Sequence, residues 1–282
     1  MKYQFNPFSV EYDPILAPVA DFKTECIVAA HNATRKNIKN LPIIVLMSGG
    51  LDSEMVARML LLAGVPFKCL LGKLQIEVAN EKLIINKHDY RYAEKWCNSN
   101  NIEIEYCSVD LYKDAKLLTE YALQGRGFSP QLAWFMYMMK WCHDNNYFFM
   151  GGFEEMEIVL KDGEYFCKDF QRDMCVQHFV DKNKLYGMVR YWKQDSCIVS
   201  AFLKLPAVQR LMKNKVENLA HHKFEYFSEV FPDIEARPKF TGFEKVQEWD
   251  SILRTYLKQF NGVYDDVFYT PISFFQYKGF SC

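Results

Sequence analysis

With 282 residues, half of them hydrophobic, the chain can bury the core of one large domain or of two modest ones. Its 34 basic and 35 acidic residues give a net charge of −1, which excludes the overall basic charge of a nonspecific nucleic-acid binder but not a local basic patch. Nine cysteines without a C-x-x-C pair argue against zinc ribbons, iron–sulfur sites and disulfide frameworks, and they fit a reducing cytoplasm.

Neither a signal peptide nor a membrane span is predicted. The first ten residues contain one lysine and no continuous apolar stretch. No apolar run elsewhere approaches the roughly 18 residues that a membrane-spanning helix needs. We therefore expect a cytoplasmic protein without a membrane partner.

Strand and helix patterns alternate along the first half of the chain. A proline-containing arm occupies residues 1–20, and a helix is expected over 21–39. Apolar and alternating runs predict four strands, at Ile43–Met47, Phe67–Leu71, Ile102–Asp110 and Tyr147–Met150. Helical patterns follow them at 54–63, 88–97, 112–123 and 130–144. This alternation predicts the α/β class, with a parallel sheet and crossover helices on both faces.

The carboxyl ends of the strands are the expected ligand-binding edge of such a sheet. The four predicted ends are residues 48–50, Gly72, Asp110 and residues 151–152. Three of them carry glycine, as expected where a backbone approaches a ligand closely, although glycine also ends strands that have no function.

The pattern changes after residue 152, and we expect a soft boundary near residue 155. Short strands are predicted at 165–166 and 185–192, and helices at 195–204, 206–218, 221–231 and 244–260. The aromatic tail Val267–Phe280 is interpreted as an edge strand or a lid. This C-terminal part is expected to be mostly helical and to pack on the carboxyl edge of the sheet.

The segment Ser48–Ser53, with the sequence SGGLDS, joins the first strand to the following helix. Its two glycines let backbone N–H groups converge on an anion, and the helix directs its positive N-terminal end at the same point. Asp52 would repel a phosphate unless a Mg²⁺ ion lay between them. A turn that carries glycines by chance is the alternative interpretation.

This segment resembles the SGGxDS signature of the PP-loop ATP pyrophosphatase family, and neither a Walker A sequence nor G-x-G-x-x-G occurs in the chain. The resemblance implies a five-stranded parallel sheet in the order 3-2-1-4-5. It also implies cleavage of ATP between its α- and β-phosphates, with adenylation of a carbonyl oxygen. The nucleotide-binding residues that it implies are Leu46, Ser48, Gly49, Gly50, Leu51, Asp52 and Ser53, with the adenine near Leu71 and Gly72.

A second glycine-acidic segment, residues 151–157, follows the fourth strand. It resembles in part the G-x-G-A-D-E segment of asparagine synthetases, with Glu154 in place of their aspartate. By that resemblance Gly151 and Gly152 approach the nucleotide, and Glu155 joins Asp52 as a Mg²⁺ ligand. The alternative is an acidic helix N-terminus, which the helix dipole alone would favour.

Three cations are candidates for contact with phosphate. Arg237 and Lys239 flank a proline and resemble the late basic segment with which asparagine synthetases contact pyrophosphate. Arg126 lies between two glycines. We assign Asp52, Arg237 and Lys239 catalytic roles and Arg126 a nucleotide contact, while a solvated role is the alternative for any single cation.

The overall resemblance is to the synthetase half of asparagine synthetase without its glutaminase half. It implies an ATP- and Mg²⁺-dependent, AMP-forming ligase in which residues 41–157 bind ATP and residues 158–282 bind an acceptor. The acceptor would be a carboxylate or amide oxygen of a small molecule, and ammonia or another amine, supplied by a separate donor, would attack it. Two alternatives stay open: an enzyme that modifies a nucleic-acid base, and a regulatory nucleotide-binding protein without turnover. An oligomer is compatible with the sequence.

Overall fold

The computed structural model of the protein describes residues 12–78, 81–125, 130–152, 157–170, 174–189, 195–237 and 267–277. Its strands are β1 (Ile43–Leu46), β2 (Lys68–Val78), β3 (Glu81–Ile84), β4 (Ile104–Asp110), β5 (Phe148–Gly151), β6 (Glu157–Lys161), β7 (Glu164–Phe170), β8 (Gly187–Met188) and β9 (Val267–Pro271). Its α-helices are α1 (Phe22–Arg35), α2 (Leu51–Leu62), α3 (Lys87–Ser99), α4 (Ala115–Gly125), α5 (Pro130–Asp144), α6 (Met174–Lys182), α7 (Ser196–Leu203), α8 (Pro206–Lys213) and α9 (Lys223–Val230).

The central sheet of the described residues has six strands, and five of them are parallel, in the spatial order β4-β2-β1-β5-β8. Numbered along the chain, these strands have the order 3-2-1-4-5, so the expected topology and the expected α/β class are confirmed. β1 lies at the centre, and all four of its residues are buried. A strand covered on both faces needs apolar side chains at every position, which explains its uninterrupted Ile-Ile-Val-Leu sequence.

The sheet separates two hydrophobic clusters. Val45 of β1 packs with α1, α2, α3 and α7, whereas its neighbour Ile44 packs with α4, α5 and α6. Successive side chains of a strand point to opposite faces, so one short strand anchors both layers of helices.

β2 is longer than predicted, because it continues through Gly72 to Val78 and then pairs with β3 in an antiparallel hairpin. Gln75 pairs with both Ile84 of β3 and Asp110 of β4. β3 therefore lies on the same edge of β2 as β1, beyond the carboxyl end of β1. β3 was not predicted, because its four residues, Glu-Lys-Leu-Ile, are exposed or half-buried and do not alternate between polar and apolar positions.

A second, three-stranded antiparallel sheet follows the parallel one and has the order β6-β7-β9. Only a fragment of β7 was predicted, at residues 165–166. The aromatic tail supplies the edge strand β9, and its residues 278–282 lie outside the described ranges. Ile158 of β6 and Cys167 of β7 place this sheet on the same core cluster as α1 and α2.

The C-terminal helices match the prediction in part. α7 has Asp195 as its N-cap, which accepts hydrogen bonds from two backbone N–H groups. α8 and α9 are shorter than the predicted helices, α6 was not predicted, and β8 occupies only two residues of the predicted strand 185–192. The predicted helix 244–260 lies outside the described residues. None of the helices in the described part is long and apolar enough to cross a membrane.

Candidate functional site

The loop between β1 and α2 keeps its shape through glycine. Gly49 has a φ of +83°, in the left-handed region where a residue with a Cβ is strained. Gly50 caps α2 in an extended conformation, and as a glycine it has no side chain with which to satisfy the first N–H groups of the helix. A helix N-terminus of this kind carries a partial positive charge and can accept an anion.

Two serine hydroxyls brace the loop from inside. Ser53 Oγ accepts the Ser48 N–H at 3.2 Å and donates to the Gly50 carbonyl at 3.0 Å. Ser48 Oγ accepts the Gly50 N–H at 3.3 Å and lies 3.1 Å from Ser53 Oγ. Leu46 is buried in the cluster that contains α4, α5 and α6, whereas the half-buried Leu51 packs against the cluster that contains α1 and α2.

Gly152, just after β5, approaches the start of α2 closely. A Cβ at this position would lie 2.7 Å from the Asp52 carbonyl oxygen and 2.8 Å from Ser53 Cα. At Gly151 the nearest atom to such a Cβ would be the Val189 carbonyl oxygen at 3.4 Å, which is an ordinary contact. Gly152 is therefore needed for backbone packing against the loop, whereas Gly151 is not.

Asp52, in the first turn of α2, forms an ion pair with Lys223 in the first turn of α9. Lys223 Nζ donates to Asp52 Oδ2 at 2.6 Å, and the two side chains are 14% and 25% exposed. Sequence reasoning missed Lys223, because a lysine that follows two histidines in a helical pattern has no local signature of a site.

Arg237, for which the resemblance implies a contact with pyrophosphate, also lies at the loop. Its Nη1 donates to the Gly49 carbonyl at 2.5 Å, and its Nη2 pairs with the Glu54 carboxylate. The guanidinium also lies over the Tyr92 ring, 5.0 Å from its centroid. The Arg237 side chain is only 8% exposed, so these contacts hold it in a mostly water-free position.

Glu54 is a buried carboxylate, 1% exposed, which is satisfied by two arginines. Arg58 Nε donates to Glu54 Oε1 at 2.7 Å, and its two terminal nitrogens donate to Asp233 at 2.9 Å each. These hydrogen bonds hold the pKa of the Asp233 carboxyl below its usual value. The network ties α2 to residues 233–237 and so fixes where Arg237 lies.

The two residues expected near the adenine have structural roles of their own. Leu71 is fully buried in the cluster that contains α1 and α2. A Cβ on Gly72 would come within 1.9 Å of the Trp134 ring, so this glycine makes room for α5. The Gly72 carbonyl accepts from Asn86 Nδ2 at 2.8 Å, and Asn86 Oδ1 accepts the Leu74 N–H at 3.0 Å. Asn86 therefore bonds the edge of β2 just beyond the end of β1.

Three predicted site residues, Arg126, Glu155 and Lys239, lie outside the described residues. Within the described ranges, no group of three His, Cys, Asp or Glu side chains could hold a metal ion. Asp52 therefore supplies one carboxylate at the loop. Mg²⁺ commonly binds one or two carboxylates and takes its other ligands from substrate phosphates and water, so this donor set fits a metal ion that binds together with a nucleotide.

Comparisons with known proteins give little further guidance. No protein-family model matches the chain, and no curated protein matches its sequence. Among solved structures, NMN synthetase from Francisella tularensis is similar to this chain at 14% sequence identity. The alignment covers 84% of this chain and 94% of the synthetase, with a TM-score of 0.37. A similarity this weak carries no inference about activity.

Proposed function

We propose that this chain is an ATP-dependent enzyme that cleaves ATP between its α- and β-phosphates. The observation that carries the proposal is the convergence of Lys223 and Arg237 on the SGGLDS segment. Both cations come from the C-terminal part of the chain, more than 170 residues away from their partners in the segment. A triphosphate at this loop would meet backbone N–H groups, a helix N-terminus and two cations.

Arg237 and Lys223 are suited to stabilise a departing pyrophosphate. Cleavage of the inner anhydride places additional negative charge on the β-phosphate as it leaves. Cations that are already positioned in a site with little water stabilise such charge strongly, because they need no reorganisation during the reaction. Arg237 meets this condition through its contacts with Glu54 and Gly49.

Asp52 is the proposed ligand for Mg²⁺, with Glu155 as a second ligand by resemblance. A bound Mg²⁺ would neutralise phosphate charge and orient the triphosphate. Ser48 and Ser53 contribute by stabilising the shape of the loop with their hydrogen bonds. Gly152 contributes by letting the end of β5 lie against the start of α2.

The proposed reaction has two steps, in which residues 41–157 bind ATP and residues 158–282 bind the acceptor. An oxygen of the acceptor, a carboxylate or an amide, attacks the α-phosphorus, and the bond to the bridging oxygen breaks to release pyrophosphate. The nitrogen lone pair of ammonia or another amine then attacks the activated carbon, AMP leaves with the bonding electrons, and the amine loses a proton to solvent. Much of the acceleration would come from holding the reactants together.

Pyrophosphate release by the Asp52→Asn variant tests this proposal. With ATP, Mg²⁺, the proteinogenic amino acids and ammonium chloride, we expect release to fall by roughly two orders of magnitude in the variant. The fold should be retained, because asparagine keeps the shape of aspartate at a partly exposed position. Asp162→Asn, at an exposed turn, is the matched control and should behave as the unaltered chain. If the Asp52→Asn variant released pyrophosphate as fast as the unaltered chain, the assignment of Asp52 as a metal ligand would be wrong.

A further inference from the structure

A short stretch of the β2 edge lies between β1 and β3 and is bonded by a side chain rather than by a strand. On this edge the Leu70 carbonyl accepts the Met47 N–H at 2.9 Å, just after β1. The Leu74 carbonyl accepts the Ile85 N–H at 2.9 Å, just after β3. The Gly72 carbonyl and the Leu74 N–H fall between these two contacts, roughly 7 Å and more beyond Leu70 along the strand. They therefore lie beside the carboxyl end of β1, where the loop between β1 and α2 begins.

The Asn86 side chain satisfies both of these backbone groups. Its Nδ2 donates to the Gly72 carbonyl at 2.8 Å, and its Oδ1 accepts the Leu74 N–H at 3.0 Å. Asn86 is the N-cap residue of α3, a position from which asparagine usually accepts a backbone N–H of the helix, but here its side chain caps no N–H group of α3. The preceding residue, Ile85, is buried, and the following residue begins α3. The amide is thus held in place and bonded to β2 rather than to its own helix.

The amide presents β2 with the same pair of groups as the edge of an adenine base. A carboxamide carries an N–H donor beside a carbonyl acceptor, and adenine carries its 6-amino donor beside a ring-nitrogen acceptor. A backbone carbonyl and N–H that bind one of these pairs with two hydrogen bonds can also bind the other. The Leu74 N–H is a single donor, so the ring nitrogen of a base can accept it only in place of Asn86.

We propose that Asn86 takes the place of the nucleobase at the edge of β2, so that the chain binds a nucleoside triphosphate through its phosphates without recognising the adenine ring nitrogens. The inference rests on the proposed function, because it takes the loop between β1 and α2 as the triphosphate site and the end of β2 as the place of the base, as the resemblance implies. The substrate of the site is then a nucleoside triphosphate that is selected by its phosphates. Asn86 determines this specificity by occupying the backbone groups that would select adenine.

A purely structural role for Asn86 is the competing explanation. In that case the amide only joins β2 to the start of α3, and its removal lowers stability without changing which nucleotide binds. If Asn86 takes the place of the base, its removal also makes Gly72 and Leu74 available, and an adenine can bond to them. The two explanations therefore predict different selectivities of an Asn86 variant between nucleotides, whereas both allow a loss of stability.

Calorimetric titrations of the full chain, with Mg²⁺ present, compare ATP with two analogues that carry a C–H group in place of adenine N1 or N7. The unaltered chain should bind all three with equal affinity. Asn86→Ala should bind ATP about fivefold more tightly than one of the analogues, the difference expected for one hydrogen bond. Asn100→Ala is the matched control, because it removes an amide that donates to the Trp96 carbonyl at the other end of α3, and it should behave as the unaltered chain. Asn86→Ser provides a second variant if the alanine variant does not fold, since serine suits an N-cap but its shorter side chain cannot keep both bonds to β2.

Inorganic triphosphate, which has no base, examines the loop separately and should bind the unaltered chain and Asn86→Ala equally. If it binds, but the ratio of the affinities for ATP and each analogue is the same in both proteins, the inference about Asn86 is wrong while the proposed phosphate site stands. A preference of the unaltered chain for ATP that is lost in Asn86→Ala would also overturn the inference, since Asn86 would then assist recognition of the base. If neither ATP nor inorganic triphosphate binds, the proposed function is refuted, and the inference with it.

Discussion

The Arg58 guanidinium donates two parallel hydrogen bonds of 2.9 Å to the Asp233 carboxylate, across 175 residues of sequence. Arg58 belongs to α2, the helix that begins at the glycine loop, and Asp233 lies just beyond α9. The same guanidinium also donates to Glu54, which in turn pairs with Arg237. This chain of charges fixes the segment 233–237 against α2 and so places Arg237 at the loop.

Glu54 should be important for stability because it is the buried carboxylate that two arginines share. Glu54→Gln keeps the size of the side chain but removes the buried negative charge that Arg58 and Arg237 both contact, so that Arg58 keeps only its pair with Asp233. Breaking a buried ion pair in this way typically costs about 3 kcal/mol or more, and we expect that loss in the free energy of unfolding. Urea denaturation measures it. The exposed Glu120→Gln is the control and should change the free energy by less than about 0.5 kcal/mol. Equal effects of the two variants would show that the network contributes nothing.

The adjacent glycines after β5 should respond differently to alanine. At Gly152 the new Cβ would lie within 3 Å of the Asp52 carbonyl and Ser53 Cα, so the start of α2 must shift. We expect Gly152→Ala to weaken ATP binding by about tenfold or more, since the shift displaces the N–H groups that would hold the phosphates. At Gly151 the nearest contact would be 3.4 Å, and Gly151→Ala should bind ATP normally. Calorimetric titration with ATP measures the affinities of both variants. Equal affinities would contradict the assignment of the loop as the phosphate site.

Arg237 should discriminate between nucleotides by their number of phosphates. If it contacts the pyrophosphate portion, Arg237→Met should weaken ATP binding about tenfold, the loss expected for one charge-assisted hydrogen bond, and should leave AMP binding nearly unchanged. Arg210→Met removes an arginine whose side chain is 58% exposed and is the matched control. Competition titrations with ATP and AMP measure both affinities. If the affinities for ATP and AMP fell by the same factor, Arg237 would not contact the pyrophosphate portion of ATP.

Tyr12 should make stability depend on alkaline pH. It donates to the buried Asp169 carboxylate at 2.8 Å, and burial, followed by the charges of Cys167 and Asp169, raises the pKa of Tyr12 far above its usual value of 10.0. Tyr12 therefore stays protonated in the folded chain, while in the unfolded chain it ionises near pH 10. Its contribution is fully present below pH 10 and is lost as the pH rises above that value, by about 1.4 kcal/mol per pH unit.

Tyr12→Phe provides the comparison. The variant should be less stable at neutral pH by about 1–3 kcal/mol, because Asp169 loses a hydrogen-bond donor. Its free energy of unfolding should also fall less steeply than that of the unaltered chain above pH 10. Urea denaturation between pH 8 and pH 11 measures both effects. Identical slopes for the two proteins would rule out the raised pKa.

The sequence predicted those parts of the fold that local patterns determine. The run Ile43–Leu46, the two glycines and the helix after them are neighbours in the chain, so periodicity and turn chemistry were sufficient to place them. The prediction that Gly72 ends a strand was wrong. A glycine is needed at this position because a Cβ would overlap the Trp134 ring, and Trp134 lies more than 60 residues further along the chain. The β3 and β6 strands were not predicted, because each is only four or five residues long and neither alternates between polar and apolar positions.

The candidate site could be predicted only where a motif marks it. The loop residues 48–53 follow a recognisable pattern, and Arg237 belongs to a short basic segment. Lys223 has no such context. Its contact with Asp52 spans 171 residues and depends on how α9 packs into the core cluster that contains α1 and α2. The same holds for the Arg58–Asp233 pair, since each residue alone is an unremarkable charge on a helix or in a turn.

We propose that the glycine loop binds a triphosphate so that the inner anhydride is broken, and the reaction products test this claim most directly. The full chain would be incubated with ATP and Mg²⁺, with the proteinogenic amino acids and ammonium chloride in one sample and total RNA in another. Phosphorus NMR would identify the products. We predict AMP and pyrophosphate in equal amounts in at least one sample, and their loss in the Asp52→Asn variant. ADP and orthophosphate as the products would contradict the claim.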